Sequence, residues 1–339
     1  MTGPRLYSVT PEAADADGLI ADGLRERLTV CAEQSEKAGW SGVLVPHNLH
    51  EVDPWLIAAA LGAATTRLTP LLAVQPACLP PHTAAALAAG YAALYGRPVH
   101  FNLVAGARDD EMRAIGDTLS HDERYDRLRQ YGRVLRALLR GERVDESGPY
   151  YRYAGYSLVP RPEILAECRI FVAGSSEASL RTAVDVADVV VTHPAPFADW
   201  HRDFLVPLRA KGYTREVGIR IGLLGRPTAA EAWQVARERF PESWLGQQET
   251  LLKTRSPNVW SRELARRAVS EETAPGAPYW LGAFASGKAS APFLVGSYGE
   301  VAEQLADYVR AGAGHVLLNG CSEEEFPHIR AIVERAAYC

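Results

Sequence analysis

The sequence predicts a (β/α)8 TIM barrel, and three observations carry that prediction. Short apolar runs alternate with amphipathic helical stretches almost from end to end of the 339 residues, the pattern of a parallel sheet wrapped by helices. Eight such runs can be counted, the number that closes a barrel. No G-x-G-x-x-G follows the first run, which argues against the competing open, doubly wound sheet. A 47% apolar composition is enough for one large core and no composition break marks a linker, so residues 1–339 are expected to form a single barrel domain.

In chain order the expected strands lie near Arg5 to Val9, Gly42 to Val45, Leu68 to Val74, Val99 to Val104, Arg169 to Ala173, Val189 to Thr192, Val217 to Leu224, and His315 to Asn319. Helices fill the intervals. Several starts are marked by capping boxes, in which a Ser or Thr and a Glu three residues on satisfy each other's backbone N–H groups: Ser120 with Glu123, Thr228 with Glu231, Ser297 with Glu300, and Ser322 with Glu325. In the helix after Ser120, Tyr125, Leu128, Val134, Leu135 and Leu138 form the apolar stripe.

Two stretches interrupt the alternation. Glu146 to Pro160, rich in Tyr and Gly, reads as a small hairpin or an irregular excursion. The second runs from about Glu242 to Pro292 and ends in Pro-, Gly- and Ser-rich sequence around Ala274 to Ala291. Long excursions on a rigid barrel serve as lids or binding loops, and Gly282, Ser286, Gly287 and Lys288 are the candidate mobile lid.

A net charge of -5, a pI near 6.0 and dispersed Lys and Arg give no attraction to nucleic acid or anionic lipid, so neither partner is expected. The five cysteines show no C-x-x-C spacing and their odd number argues against a disulfide framework. With no basic-then-apolar N-terminal region and no membrane-length apolar segment, a soluble cytoplasmic protein is expected.

On a barrel the active site is built just past the strand ends, and those positions are polar here. After the second strand come His47, Asn48, His50, Glu51 and Asp53; after the fourth, Asn102 and Gly106; after the fifth, Gly174, Ser175 and Ser176; after the sixth, Thr192 and His193. His121 and Tyr125 stand at i and i+4 on one helical face beside a helix N-terminus, which suits a phosphate, although a His and a Tyr also pack there without a ligand. Ser175 and Ser176 at the next helix start are a second anion site, or merely a cap. His47 and His50 lack H-E-x-x-H spacing, so no metal is expected, and no G-x-S-x-G or nucleophilic cysteine motif is present.

These residues carry a resemblance. Gly42-Val43-Leu44-Val45-Pro46, Asp53-Pro54-Trp55, Phe101-Asn102-Leu103-Val104-Ala105-Gly106, His121-Asp122-Glu123-Arg124-Tyr125, Ala173-Gly174-Ser175-Ser176, Gly218-Ile219-Arg220, Ser256-Pro257-Asn258 and Leu294-Val295-Gly296 follow in the order found in the bacterial luciferase-like flavin monooxygenases, in particular the alkanesulfonate monooxygenase branch. The resemblance implies reduced FMN, supplied by a separate NAD(P)H-dependent flavin reductase and used to activate dioxygen, in a homo-oligomer. It implies that His121, Tyr125, Gly174, Ser175 and Ser176 hold the FMN phosphate and ribityl chain and that Asn102 lies beside the isoalloxazine. It also implies a non-prolyl cis peptide between Ala73 and Val74, which places Val74 in the flavin site.

The departures bear on substrate. Arg220 is retained, but the His expected two residues later is Gly222, Glu51 stands where that branch has a cysteine, and Cys321-Ser322 replaces a Y-P-H run. Lys288 stands near the position of a lid arginine. A site so altered is expected to oxygenate a small polar metabolite, an amine, an amino-acid-like compound or another heteroatom-bearing molecule, and not an alkanesulfonate. Glu51 reads as a general base, an anchor for a cation, a partner of Arg220 or His47, or an exposed loop carboxylate. Arg220 reads as an anion anchor or as a brace, and His193 as a substrate-facing group. A deazaflavin-dependent hydride-transfer enzyme and a non-catalytic flavin-binding protein are the competing readings.

Overall fold

The computed structural model describes residues 3–13, 19–47, 49, 51–106, 108–256, 258–270 and 277–339, so Asn48, His50, Pro257 and Ala274 lie outside the described residues. Eight parallel strands interleaved with helices form a closed (β/α)8 barrel. In chain order the first elements are β1 (Arg5–Val9), α1 (Leu24–Ala38), β2 (Gly42–Val45), α2 (Pro54–Ala64), β3 (Thr69–Val74), α3 (Pro81–Tyr95), β4 (His100–Leu103), α4 (Asp109–Ala114) and α5 (His121–Arg140). A hairpin of β5 (Val144–Ser147) and β6 (Arg152–Tyr156) precedes β7 (Ile170–Ala173), α6 (Glu177–Val186) and β8 (Val189–Thr192). Then come α7 (Phe197–Trp200), α8 (Val206–Ala210), β9 (Glu216–Arg226), α9 (Ala229–Arg239), α10 (Trp244–Lys253) and α11 (Val259–Ser270). The last are β10 (Tyr279–Trp280), α12 (Gly282–Ala285), β11 (Phe293–Ser297), α13 (Tyr298–Arg310), β12 (Ala313–Leu318) and α14 (Phe326–Ala336). Two compact units contain them, one made of residues 10–173 and 177–190, the other of 1–9, 174–176 and 191–339.

In the first unit β2, β3, β4 and β7 run parallel in that order, with Leu44 opposite Leu71, Ala73 opposite Asn102 and Asn102 opposite Phe171. Their side chains are almost wholly apolar and buried, as strands covered on both faces require. The expected cis peptide at Ala73-Val74 is not found. Val74 continues the ladder opposite Leu103 and accepts the Val104 N–H at 3.0 Å, geometry that extended trans backbone supplies without the several kcal/mol a non-prolyl cis bond costs. Among the described residues the cis bond is Val159–Pro160.

Helix α5 starts where the capping box predicts. Ser120 Oγ accepts the Glu123 N–H, and the Glu123 carboxylate accepts the Ser120 N–H at 2.8 Å. Arg124, buried on this helix, donates to the carbonyls of Leu119 at 3.1 Å and Gly106 at 3.4 Å and pairs with Asp109. Arg127 meets Asp117 at 2.5 Å, and Gln130 donates to the Tyr151 carbonyl at 2.8 Å while accepting the Tyr150 N–H at 3.1 Å. The Thr182 hydroxyl of α6 donates to the Tyr125 carbonyl at 3.1 Å.

In the second unit β1 pairs with β12 and β12 with the first half of β9, all parallel. The second half of β9 continues past this ladder and pairs Gly222–Arg226 with β11, a strand that is not among the eight read from the sequence. Leu224, Ala232, Ala236, Phe240, Phe293 and Val295 close a small apolar core there. Ser297 and Glu300 form the expected capping box, and Thr228 accepts the Glu231 N–H at 3.3 Å. The box expected at Ser322 and Glu325 is absent, because the buried Glu325 carboxylate is held by both Nη atoms of Arg226, at 2.8 and 2.9 Å. A bidentate guanidinium is a stronger partner than a helix-end N–H.

Arg124→Met should lower stability by about 1–3 kcal/mol, since three acceptors around a buried side chain lose a charged donor at once. Urea unfolding followed by circular dichroism measures this, and a loss below about 0.5 kcal/mol, the range of ordinary surface changes, would contradict it.

Candidate active site

At the strand ends of the first unit His47 and Asn102 carry buried polar atoms with no protein partner. Asn102 is 8% exposed, its neighbours on β4 pack as core, and its Oδ1 makes no hydrogen bond. An amide in that position costs free energy unless a ligand completes it. His47 Nε2 is likewise buried without a partner; burial pushes its pKa down, and Asp53 and Gln75 push it back up. Glu51, half-buried, accepts the Ala13 N–H at 2.9 Å and so fastens the segment after β1. That backbone contact is a partner the sequence reading did not anticipate. Val74 is buried at the end of β3.

On α5 the rings of His121 and Tyr125 lie 5.0 Å apart, one above the other as their spacing dictates. His121 Nδ1 is 2.8 Å from Asp122 Oδ1. The Tyr125 hydroxyl donates to the Ala173 carbonyl at 3.1 Å, which ties the helix to the residue just before Gly174. Gly174 has φ 144, backbone that a side chain rarely tolerates. In the second unit Gly174 donates to the Val191 carbonyl at 3.0 Å, and the half-buried Ser175 and Ser176 lead directly into α6.

A further group lies wholly within the second unit. His193, just past β8, stacks on Trp260 of α11 with ring centroids 3.8 Å apart and planes 12° apart. Its Nε2 is buried without a partner; burial first, and the positive charge of Arg220 second, hold its pKa well below the usual histidine value. Arg220, on β9, has a buried Nε with no acceptor, and burial lowers its pKa to about 10. Trp260 was not among the residues singled out from sequence, where one Trp in a helical run is indistinguishable from ordinary core.

Gly222 is explained by packing. A Cβ there would meet the Phe293 ring at 2.3 Å, so the aromatic side chain of β11 fills the space that a histidine would need. The residues of the candidate lid differ in exposure. Ala283, Phe284 and Ser286 are buried, Thr250 of α10 reaches the Ala285 carbonyl at 3.5 Å, and only Gly287 and Lys288 of that group are exposed at the surface. Pro, Gly and Ser mark turns, but turn residues flanking Phe284 are anchored by it.

Gly222→Ala should therefore cost about 1–3 kcal/mol through overpacking against Phe293, read as a lowered unfolding midpoint. The depressed His193 pKa has a sign. The unfolded chain takes up a proton near pH 6.5 before the folded chain does, so the contribution of His193 to stability is full above about that pH and is lost as pH falls below it. His193→Gln should flatten part of the fall in stability between about pH 7 and 5, with His47 and His328, also lowered, accounting for the rest. Superimposable pH curves for variant and parent would refute this.

The chain matches the family model described as luciferase-like monooxygenase over residues 9–315. It is 35% identical over 312 residues, 91% of each chain, to the 4-(gamma-L-glutamylamino)butanoyl-[BtrI acyl-carrier protein] monooxygenase BtrO of Niallia circulans. Among solved structures it is similar to riboflavin lyase RcaE, with a TM-score of 0.79 at 17% identity over 99% of this chain and 92% of that one. The EDTA monooxygenase EmoA of Chelativorans sp. BNC1 gives a TM-score of 0.76 at 16% identity over 98% and 93%. These two likenesses concern the fold. The sequence matches go further: this chain belongs to the luciferase-like monooxygenase family and is an enzyme of that class.

Proposed function

We propose that the protein is the oxygenase half of a two-component, FMN-dependent monooxygenase, and that its substrate is an amino-acid-like acyl group presented on a carrier protein. The observation that carries the substrate reading is Arg220, a half-buried cation on β9 whose buried Nε has no acceptor among the described residues. A buried guanidinium nitrogen without an acceptor is costly and is matched by a substrate carboxylate. The relative BtrO acts, by its name, on a glutamylamino-substituted acyl group, which bears such a carboxylate. With His193 and Trp260 stacked beside it, Arg220 anchors the charged end of the substrate. An alkanesulfonate does not suit a site in which Phe293 has displaced the expected histidine.

The residues present fit a flavin. In the first unit Asn102 Oδ1 is a buried acceptor without a donor, and the N-terminus of α5 beside His121 favours an anionic phosphate. In the second unit the hydroxyls of Ser175 and Ser176 suit an anion as well. Reduced FMN, delivered by a separate NAD(P)H-dependent reductase, supplies the electrons that activate dioxygen. Within the first unit Tyr125 is bonded to Ala173, and Val74 is buried at the end of β3. Glu51 orders the segment after β1 through Ala13, while His47 stays neutral in its buried setting. Lys288 is exposed at the surface. We further propose a homo-oligomer joined through α2 and α3, which contain no Asp, Glu, Lys or Arg and leave Leu56 at 68% and Leu94 at 77% exposure.

The protein incubated with FMN, a flavin reductase, NADH and air should add one oxygen atom to the carrier-bound acyl group, detected by mass spectrometry. Arg220→Met should raise KM for that substrate about 10- to 100-fold, the value of a lost charge-assisted contact, but leave an analogue with an amide in place of the carboxylate unaffected. Asn102→Ala should keep the fold and divert electrons to hydrogen peroxide at the expense of product; a variant still fully coupled to product would overturn that role. Leu56→Glu with Leu94→Glu should reduce the mass seen by light scattering to that of one chain.

A further inference from the structure

Strand β12 ends on a buried amide. Asn319 follows Leu318 directly, is 5% exposed, and donates its backbone N–H to the Ile221 carbonyl at 3.1 Å, which prolongs the ladder with β9 by one residue. In that ladder Leu317 lies opposite Arg220. Side chains alternate along a strand, so Asn319 shares the sheet face of Leu317 and Arg220, two residues nearer the strand end than Leu317. All of these residues belong to the second unit.

The amide is held in one orientation. Ser290 Oγ donates to Asn319 Oδ1 at 3.1 Å. Ser290 is itself fixed by the backbone on either side, since the Ala289 N–H donates to the Ala283 carbonyl at 3.0 Å and the Pro292 carbonyl accepts the Gly222 N–H at 2.8 Å. With its oxygen engaged, Asn319 has the two N–H donors of Nδ2 to offer, and among the described residues nothing accepts from them. The ring of Phe293, against which a Cβ on Gly222 or Gly320 would come to 2.3 or 3.0 Å, supplies no acceptor. An amide so little exposed with unpaired donors costs free energy that a ligand acceptor recovers. Arg220, on the same face, is also a donor only, and its buried Nε lacks an acceptor. Two donor-only groups match a carboxylate, which only accepts, and disfavour an ammonium, which only donates.

We propose that Asn319, oriented by Ser290, is a specificity-determining residue that donates to the substrate carboxylate anchored by Arg220. The inference rests on the carboxylate-bearing substrate reading given above. Arg220 supplies the charge, and the fixed amide supplies a neutral donor that selects the direction from which the carboxylate approaches. A purely structural Asn319 would tie the segment before β11 to the end of β12 and would be indifferent to which substrate is present. A binding Asn319 discriminates between substrates with and without the acceptor.

The test compares two substrates on the BtrI acyl-carrier protein, the 4-(gamma-L-glutamylamino)butanoyl group and the same group with its free carboxylate replaced by hydrogen, each with FMN, flavin reductase, NADH and air. The wild type should prefer the carboxylate form about tenfold or more in kcat/KM. Asn319→Leu removes the donors at similar volume and should raise KM about tenfold on the carboxylate substrate and less than about twofold on the other, with kcat nearly unchanged. Asn319→Asp keeps the shape but sets a carboxylate beside the guanidinium, and should reverse the preference. Ser290→Ala, which frees the amide to turn, should show the same one-sided loss at about threefold. Circular dichroism confirms the fold of each variant. Equal changes on both substrates, or a preference unchanged in both Asn319 variants while Arg220→Met abolishes it, would overturn the inference and leave the Arg220 reading standing. A wild type that treats the two substrates alike, or oxygenates neither, removes the Arg220 reading and the role of Asn319 with it.

Discussion

The guanidinium of Arg124, buried on α5, bonds backbone carbonyls on both sides of the loop that follows β4 and pairs with Asp109 at the start of α4. Without a rigid α5 those contacts have no origin, and the same helix carries the others that order the unit around it. Tyr125 holds the end of β7, Gln130 holds the β5–β6 hairpin by three backbone groups, and Arg136 reaches Val186 and Asp188 before β8. Asp188 in turn accepts the Ile170 N–H at 2.8 Å. One capped, twenty-residue helix therefore fixes the loops and strand starts on which the candidate phosphate and ring-binding residues sit. The cost of ordering long Arg and Gln side chains is offset because each satisfies backbone groups that would otherwise be buried unpaired.

Several buried polar side-chain atoms have no partner among the described residues, those of Tyr91, Arg97, Arg127, Tyr131 and Trp200 among them. Asn102 Oδ1 and His47 Nε2 in the first unit, and His193 Nε2 and Arg220 Nε in the second, differ in lying on or just past barrel strands, where barrel enzymes place their chemistry. Each such atom costs free energy that a bound ligand recovers. The two histidines are held neutral by burial, so they offer a hydrogen-bond acceptor and not a fixed charge, and the charge at this end of the second unit belongs to Arg220.

The second unit also builds outside the parallel ladder. The extension of β9 beyond its pairing with β12 creates a place for β11, and β11 brings Phe293 into the volume above Gly222. Trp260 arrives from α11, a helix of the long excursion. Among the described residues of that excursion, α10, α11 and α12 pack against one another.

Much was legible in the sequence because it depends on local chemistry. The eight barrel strands, the Ser120 and Ser297 capping boxes and the His121–Tyr125 stacking follow from apolar runs, from Ser-to-Glu spacing and from a period of 3.6 residues, none of which needs a distant partner. What failed to show required long-range contacts. Ser322 and Glu325 have capping-box spacing, but Arg226, far away in sequence, captures the carboxylate. The burial of Phe284 beside Gly282 and Ser286 is not marked by local spacing, and Ala73-Val74 is kept trans by the ladder with β4. Sequence alone determined the barrel and most of the polar residues at its strand ends; the partners of Glu51, Tyr125 and Glu325, and the stacking of Trp260 on His193, were decided only by tertiary structure, because a side chain's partner is chosen by proximity in space and local spacing carries no record of it.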